Sequence, residues 1–249
     1  DPGMVLFYAD LRQVEDRIVA YAGGVKKKIH AFETGINAHS LSAAGYFNCT
    51  VEDVEREKEE CKKRYVEPPM YYIGKQGNHA FNYGEGPRTF KTNFNKKVDE
   101  TGIKITEAQA KAIRQKHLKL YPEIEYGYWA WIKETLLTKR MRLTNPFGYE
   151  RVLYGNPKDD RTFRDAYSWY PQSTAPEIIN RAMIRIDKRL PEVEMFIHMH
   201  DAIFGQVPEA QADDLRLAIL ELMVEPIQVR DHAITIPVDF KYGTNWGSL

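Results

Sequence analysis

Apolar and polar positions change their rhythm along this chain, and the changes separate strand-like stretches from helix-like ones. The apolar run "MVLFYAD" predicts a buried strand over residues 4–9 that ends at Asp10. The next segment, residues 12–24, has apolar residues at helical spacing and closes with two glycines, which end a helix. From Val25 to about Trp131 the pattern is helical almost throughout. The fold is therefore predicted to open with one strand and a long helical stretch.

Two segments inside the helical stretch carry clear end signals. In "TVEDVEREKEECKKRYVEPP", Thr50 and Asp53 predict a capping box at the start of a helix. Pro68-Pro69 is predicted to end that segment, because a residue before proline is disfavoured in a helix. "ITEAQAKAIRQKHLKLYP" predicts a second amphipathic helix, which ends at Pro122.

The carboxy-terminal half alternates hairpins with helices. "MRLTNPFGYERVLYG" predicts a hairpin with its turn at Asn145–Gly148, and "FIHMHDAIFG" predicts another over residues 196–205. Helices are predicted from Thr174 to about Leu190 and through "LRLAILELM", before a final strand. The element order predicts an α+β fold with a helical lobe inserted into it.

Composition narrows the class of protein without naming a partner. The chain has 249 residues, of which 43% are hydrophobic, so it can bury a sizeable core. Its 35 basic and 35 acidic residues leave no global charge that would indicate nucleic acid or a membrane. Cys49 and Cys61 lack the spacing of a zinc site, which favours a reducing compartment. Without a run of about 18 apolar residues or a signal-peptide pattern, we expect a cytoplasmic protein with no membrane partner.

Two aspartates occupy positions where chemistry could occur. Asp201 lies at the turn of the hairpin over residues 196–205, where a carboxylate is usually solvated or bonds its own backbone. Asp10 ends an apolar strand, and carboxylates on neighbouring strand ends suit Mg²⁺, which prefers oxygen ligands. Two such ions about 4 Å apart can activate an attacking hydroxyl and stabilise a leaving pyrophosphate. From spacing alone, both interpretations stay open.

The segments around these aspartates resemble motifs of the A-family DNA polymerases, the DNA polymerase I type. "DLRQVEDRIVA" is similar to the first motif, Asp-Tyr-Ser-Gln-Ile-Glu-Leu-Arg, with Asp10, Gln13, Glu15 and Arg17 in register. "MHDAIF" is similar to the third motif, His-Asp-Glu, except that an alanine replaces the glutamate.

Between and after these motifs, further segments resemble the same family in the same order. "YIGKQGNHAFNYGEG" resembles the fingers-helix motif, with Lys75, Asn78, Tyr83 and Gly84 in register. "TGINAHSLSAAGYF" keeps the histidine of a third segment, at His39. "FRDAYSWYPQSTAPEIINRAM" and "KYGTNWGSL" are similar to the remaining stretches of the family. The resemblance therefore covers essentially the whole chain.

The resemblance implies a polymerase palm, an antiparallel sheet with packed helices, into which a helical fingers subdomain is inserted. The palm would comprise residues 1–21 and 146–249, and the fingers residues 22–145. The thumb and the exonuclease domain of the family are expected to be absent from this chain. A second polypeptide or a precursor segment could supply them.

The resemblance also implies a set of site residues. Asp10, Asp201 and the Leu11 carbonyl would bind two Mg²⁺ ions, for which Mn²⁺ could substitute, and Lys75 would act with the two aspartates in catalysis. The deoxynucleoside triphosphate would contact a second group, in which Glu15 excludes a 2′-hydroxyl: Leu11, Gln13, Glu15, His39, His79 and Tyr83. Primer–template DNA would contact Arg164, Gln172 and His200.

Four departures from the family pattern indicate a divergent branch with a phage-like appearance. His79 replaces an aromatic residue, and Tyr71 lies where an arginine would bind phosphate. Ala80 replaces a glycine, and Ala202 replaces the glutamate of the third motif. None of these changes removes an expected metal ligand. Their effect on rate and fidelity is not determined by the sequence.

Three functions fit the motifs to different degrees. The first is a template-directed DNA polymerase that adds deoxynucleotides to a primer 3′ end in a bacterial or phage-infected cell. The second is an inactive palm that acts as a DNA-binding or structural subunit, which retention of Asp10, Lys75 and Asp201 disfavours. The third is a single-subunit RNA polymerase relative, which Glu15 disfavours because its bulk would clash with ribose.

Overall fold

The computed structural model describes residues 1–156 and 159–249. In chain order its helices and strands are β1 (Met4–Leu11), α1 (Val14–Gly23), α2 (Lys26–Glu33), α3 (Ala38–Phe47), α4 (Val51–Lys63), α5 (Pro69–Asn82), α6 (Pro87–Asn95), α7 (Val98–Thr101), α8 (Glu107–Leu120), α9 (Ala130–Thr138), β2 (Arg142–Thr144), β3 (Glu150–Val152), α10 (Asp160–Arg189), β4 (Glu194–Met199), β5 (Ala202–Pro208), α11 (Ala212–Met223), β6 (Ile227–Val229), β7 (His232–Ile234) and β8 (Val238–Gly243). A π-helical segment, Ile124–Trp129, leads into α9. The α+β class predicted from the sequence is confirmed.

The chain divides into two compact units. The sheet unit comprises Asp1–Ile18, Thr144–Glu150 and Tyr170–Leu249. The helical unit comprises Val19–Leu143 and Arg151–Trp169. In the part of the chain that the structure describes, no helix is long and apolar enough to cross a membrane.

A four-stranded antiparallel sheet with the order β4-β5-β1-β8 forms the sheet unit. Along the central strand β1, Phe7, Ala9 and Leu11 are buried, whereas Tyr8 and Asp10 are only partly buried. Side chains alternate between the two faces of a strand. One face of β1 therefore packs in the core, and the other carries Asp10 toward solvent. The strand continues one residue beyond Asp10, further than the apolar pattern predicted.

The helical unit confirms the long helical stretch predicted after the first strand, because α2 to α9 follow one another with no strand among their described residues. The capping box of Thr50 and Asp53 starts α4 as predicted. The prediction for the two prolines was wrong: α4 ends at Lys63, and Pro69 is the first residue of α5. Proline fits that position because the first helical residue needs no amide donor.

Helices α3 and α5 approach each other closely through glycines of α5. A Cβ atom on Gly74 would lie 2.4 Å from the His39 carbonyl oxygen, and one on Gly77 would lie 2.9 Å from the Tyr46 ring. Polar groups also join the two helices, because the Ser42 hydroxyl donates to the Asn78 side-chain oxygen at 2.8 Å. The glycines therefore set the separation of the helices, and the hydrogen bond fixes their register.

A fully buried lysine lies beneath these helices. The Lys28 ammonium donates to the side-chain oxygens of Asn78 at 3.2 Å and Asn82 at 3.1 Å. It also lies 4.7 Å from the centre of the Tyr121 ring. A buried cation is costly unless polar groups surround it. The two amide oxygens and the aromatic face meet that need and connect α2 to α5.

The predicted start of the penultimate long helix was wrong. Thr174 was expected to open it, but α10 begins at Asp160 and runs for 30 residues with Pro171 and Pro176 inside it. A proline inside a helix removes one backbone hydrogen bond and commonly ends or kinks the helix. The flanking buried residues Tyr170 and Ala175 stabilise this helix by packing, which the local pattern does not report. The hairpins predicted at Asn145–Gly148 and over residues 196–205 are confirmed.

We expect Gly74→Ala to lower the free energy of unfolding of the helical unit. Alanine favours a helix over glycine by about 1 kcal/mol, but its Cβ would press on a backbone oxygen that cannot rotate away. Overpacking of this kind costs about 1–3 kcal/mol, so the clash should dominate. Thermal unfolding followed by circular dichroism measures the change. Gly86→Ala is the matched control, because nothing lies within 4 Å of its Cβ position; equal melting of the two variants would contradict the close approach.

Candidate active site

Asp10 occupies the middle of the sheet, between two partner strands. It pairs with Ala202 of β5 on one side and with Asp239 of β8 on the other. Residues directly opposite each other in an antiparallel pair project from the same face of the sheet. Asp10 and Asp239 therefore share a face, and the small side chain of Ala202 leaves space beside them.

Asp201 reaches the same strand end through a tight turn. His200 and Asp201 form the two-residue connection between Met199 and Ala202, which pair with each other across β4 and β5. His200 has a left-handed backbone with φ of 55°, and its carbonyl oxygen lies 3.1 Å from His198 Nε2. The Leu11 amide donates to the Asp201 carbonyl at 3.0 Å. The backbone therefore ties Asp201 to the residue that follows Asp10.

A histidine lies between two carboxylates at this turn. His200 Nε2 is 3.8 Å from Glu15 Oε1, and His200 Nδ1 is 3.8 Å from Asp201 Oδ1. The Glu15 side chain is 10% exposed, whereas that of His200 is 66% exposed. Protonation of the imidazole would create two ion pairs. The predicted sugar-contacting and DNA-contacting residues, Glu15 and His200, thus lie together beside Asp201.

The loop after β1 is held in shape by two arginines. Gln13 has a left-handed backbone with φ of 52°, and the Arg17 Nε donates to the Arg12 carbonyl at 3.0 Å. Arg12 Nε lies 3.0 and 3.1 Å from the two Asp239 oxygens. This hydrogen bond with Asp239 raises the pKa of Arg12. The positive guanidinium offsets the repulsion expected between the facing carboxylates of Asp239 and Asp10.

Tyr8 lies near the carboxylates of Asp10 and Asp201, and its pKa responds to their negative charge as well as to burial. Burial raises the pKa of the Tyr8 phenol, and the negative charges of Asp10 and Asp201 and a hydrogen bond with Asp10 raise it further. A phenolate is disfavoured both by a low dielectric and by nearby carboxylates. The pKa of Tyr8 therefore depends on the charges of both Asp10 and Asp201.

The donor set at this end of the sheet fits a magnesium ion. Asp10 and Asp201 present carboxylate oxygens on neighbouring strand ends, and both side chains are only partly buried. Mg²⁺ is commonly held by one or two carboxylates together with substrate phosphates and water. Within residues 1–156 and 159–249, no three His, Cys, Asp or Glu side chains form a group that could hold a metal ion. Asp239 pairs with Arg12, and it does not form a group of three metal ligands with Asp10 and Asp201.

The helical unit brings the predicted phosphate-contacting residues together on α5 and α3. Lys75 is exposed, and His79 follows it by one helical turn. The His39 ring, buried at the start of α3, lies 5.7 Å from the His79 ring between centroids. Tyr83 directly follows the last residue of α5. Asn78, which also matches the motif, is fully buried, and its side chain bonds Lys28 and the His39 ring.

The two predicted DNA-contacting residues of α10 are both exposed. Arg164 belongs to the helical unit, where its Cγ lies 3.4 Å from the Cβ position of Gly84. Arg164 is thus adjacent to the residue after Tyr83. Gln172 belongs to the sheet unit.

Sequence reasoning missed three residues of the sheet site: Tyr8, Arg12 and Asp239. Asp239 lies in the final predicted strand, but only the β1–β8 register shows that it faces Asp10. Arg12 was noted only as a mismatch to the motif. Its position two residues after Asp10 was the available signal, because residues i and i+2 share a strand face.

Asp10 and Asp201 thus lie at neighbouring positions of an antiparallel sheet, and most of the helical unit lies in the chain between β1 and the later strands of that sheet. The family model for DNA polymerase family A matches residues 1–248. The chain belongs to DNA polymerase family A, and the resemblance stated from its motifs is confirmed.

Individual relatives agree with this assignment. The thermostable DNA polymerase I of Thermus thermophilus is 24% identical over 99% of this chain and 27% of its own length. DNA polymerase I of Treponema pallidum is 25% identical over 99% of this chain and 23% of its own length. The chain thus spans about a quarter of the length of these curated relatives.

A solved structure supports the fold. The polymerase domain of Pol1 from M. smegmatis, described in complex with DNA primer-template and dNTP, aligns with a TM-score of 0.79. The alignment covers all of this chain and 41% of that chain, at 20% identity.

We expect Asp10→Asn to lower the pKa of Tyr8. The substitution removes a negative charge that disfavours the phenolate, while burial of the ring keeps the pKa above its ordinary value. NMR titration of ring-labelled tyrosine at alkaline pH measures the shift. Tyr242 is the internal control, because its pKa is raised by burial and by Asp213. An unchanged Tyr8 titration would contradict the proximity of the two side chains.

Proposed function

We propose that this chain is the catalytic palm-and-fingers part of a template-directed DNA polymerase. The observation that carries the proposal is the β1–β5 pairing, which sets Asp10 beside the turn that bears Asp201. Membership of DNA polymerase family A supports this chemistry. In this proposal the sheet unit corresponds to the palm and the helical unit to the fingers, with boundaries near residues 21 and 146.

Asp10, Asp201 and the Leu11 carbonyl are the proposed ligands of two Mg²⁺ ions, with Mn²⁺ as a substitute. When bound, such ions make the primer 3′-hydroxyl a stronger nucleophile and offset charge on the leaving pyrophosphate. The residues of the chain contribute position and charge. Asp10 lies on β1 and Asp201 in the turn before β5, and the hydrogen bond from the Leu11 amide to the Asp201 carbonyl joins the two backbones.

The proposed triphosphate contacts lie on the helical unit. Lys75 is exposed at the middle of α5, where its ammonium would stabilise negative charge that develops on the phosphates. His79 is partly exposed, and the buried His39 ring is its neighbour; in this proposal both would add hydrogen bonds to phosphate oxygens. Tyr83 would stack near the nascent base pair.

The proposed sugar contacts lie on the sheet unit. Glu15 is nearly buried beside His200, so its carboxylate is held in place and could exclude a 2′-hydroxyl. Gln13 and Leu11 precede it on the loop that follows Asp10, and we assign them to the same nucleotide site.

DNA binding is assigned to Arg164, Gln172 and His200, all of which are exposed. Hydrogen bonds in the minor groove report base-pair geometry more than sequence, which suits a polymerase. Phosphate contacts dominate the affinity of proteins for nucleic acid. A thumb and an exonuclease domain, from a second polypeptide or from a longer precursor, would extend the contacts with primer–template.

We expect Asp10→Asn and Asp201→Asn each to lower nucleotide incorporation by at least about a thousandfold, because each removes a charged ligand of the metal pair. Primer extension with Mg²⁺ and deoxynucleotides measures the effect, and circular dichroism verifies the fold. Asp231→Asn changes an exposed aspartate of the same unit and should retain activity. Incorporation near the wild-type level in either site variant would contradict the proposed role of that aspartate as a metal ligand.

We expect Glu15→Ala to admit ribonucleotides. Loss of the side chain opens space beneath the sugar, so incorporation of ribonucleotides should rise by roughly tenfold or more relative to deoxynucleotides. The ratio of kcat/KM for the two substrates measures this discrimination. Glu33→Ala, at an exposed glutamate of α2, is the control. If the ratio stays the same in Glu15→Ala, the residue has only a structural role.

A further inference from the structure

One face of α5 carries side chains from three successive turns. Tyr71, Lys75 and His79 are spaced four residues apart, so they project from the same side of the helix. His39 joins this face from α3, with its ring centroid 6.1 Å from that of Tyr71 and 5.7 Å from that of His79. We call these four residues the α5 face.

A lysine from another helix reaches the α5 face. The Lys58 ammonium, on α4, lies 4.5 Å from the centre of the Tyr71 ring. A cation over an aromatic ring is held there by the electrostatic quadrupole of the ring. The Lys58 side chain is 33% exposed, so its charge remains accessible to a ligand in solvent. Lys58 therefore brings a second ammonium group to the face that carries Lys75.

A short chain of polar groups holds Lys58 in this position. Its ammonium lies 3.3 Å from Glu55 Oε2, and the Ser40 hydroxyl donates to Glu55 Oε1. Ser40 directly follows His39 at the start of α3. Glu55 therefore links the helix that bears Lys58 to the helix that bears His39.

We propose that Lys58 binds a phosphate of the incoming nucleoside triphosphate, alongside Lys75. This inference rests on the proposed function, in which the α5 face receives the triphosphate. An ammonium group has three donors on a flexible stem, and one carboxylate occupies only part of that capacity. The Tyr71 ring keeps the ammonium in place before the nucleotide binds, and Glu55 competes with phosphate for the ammonium afterward.

Because Glu55 competes with phosphate for Lys58, loss of the Glu55 charge and loss of the Lys58 charge should change nucleotide affinity in opposite directions. Lys58→Ala should weaken nucleotide binding by about tenfold, because a charged hydrogen bond to phosphate is lost. Lys58→Arg should retain most of the affinity. Glu55→Gln removes the competing charge but can still accept the Ser40 hydrogen bond, so it should leave affinity equal or tighter. A purely structural ion pair would instead weaken binding in both variants.

The experiment measures the dissociation constant of a deoxynucleoside triphosphate for the chain bound to a primer–template with a terminated primer. The apparent KM and kcat for incorporation are measured in parallel. Lys63→Ala, at an exposed lysine near the end of α4, is the charge-matched control. The inference predicts a raised dissociation constant and KM with little change in kcat for Lys58→Ala alone.

The outcomes separate this inference from the proposed function. Equal dissociation constants for wild type and Lys58→Ala would overturn the role of Lys58, even if primers are extended normally. A failure of the wild-type chain to extend any primer would count against the polymerase proposal. In that case the binding titration still decides whether Lys58 contacts the nucleotide. Equal weakening in Lys58→Ala and Lys63→Ala would show a general charge effect and overturn the specific contact.

Discussion

The antiparallel ladder between β1 and β5 is the constraint on which the carboxylate pair depends. Its register sets Asp10 opposite Ala202, and one further hydrogen bond, from the Leu11 amide to the Asp201 carbonyl, extends it to the turn. A shift of one residue would turn Asp10 toward the core and expose Ala9, which is fully buried. Burial of the core-facing side of β1 therefore keeps Asp10 on the opposite face, near the turn that bears Asp201.

Elements whose information is local could be predicted from the sequence. The strand before Asp10, the capping box at Thr50 and the hairpin at Asp201 each depend on a few adjacent residues. The interpretation of the aspartates as a pair needed the family resemblance, because Asp201 taken alone is better explained as a carboxylate at a solvated turn. The long insertion between the two strands hides their proximity from any local pattern.

What the sequence could not predict depends on contacts between distant segments. The pairing of Arg12 with Asp239 joins residues 227 positions apart, and no periodicity marks it. The early start of α10 depends on packing that outweighs its two internal prolines. Lys28 resembles its neighbours in a run of three lysines, yet it alone of the three is fully buried. In each case, tertiary packing decides what a residue type does.

The close approach of α3 and α5 has a mechanical consequence. The space where Gly74 would carry a Cβ is taken by the His39 carbonyl oxygen, so rotation of α5 about its own axis would press a larger side chain against α3. Any displacement of Lys75 and His79 must therefore carry His39 along with it. The three side chains would then move as one rigid group, and the distances among them would not change.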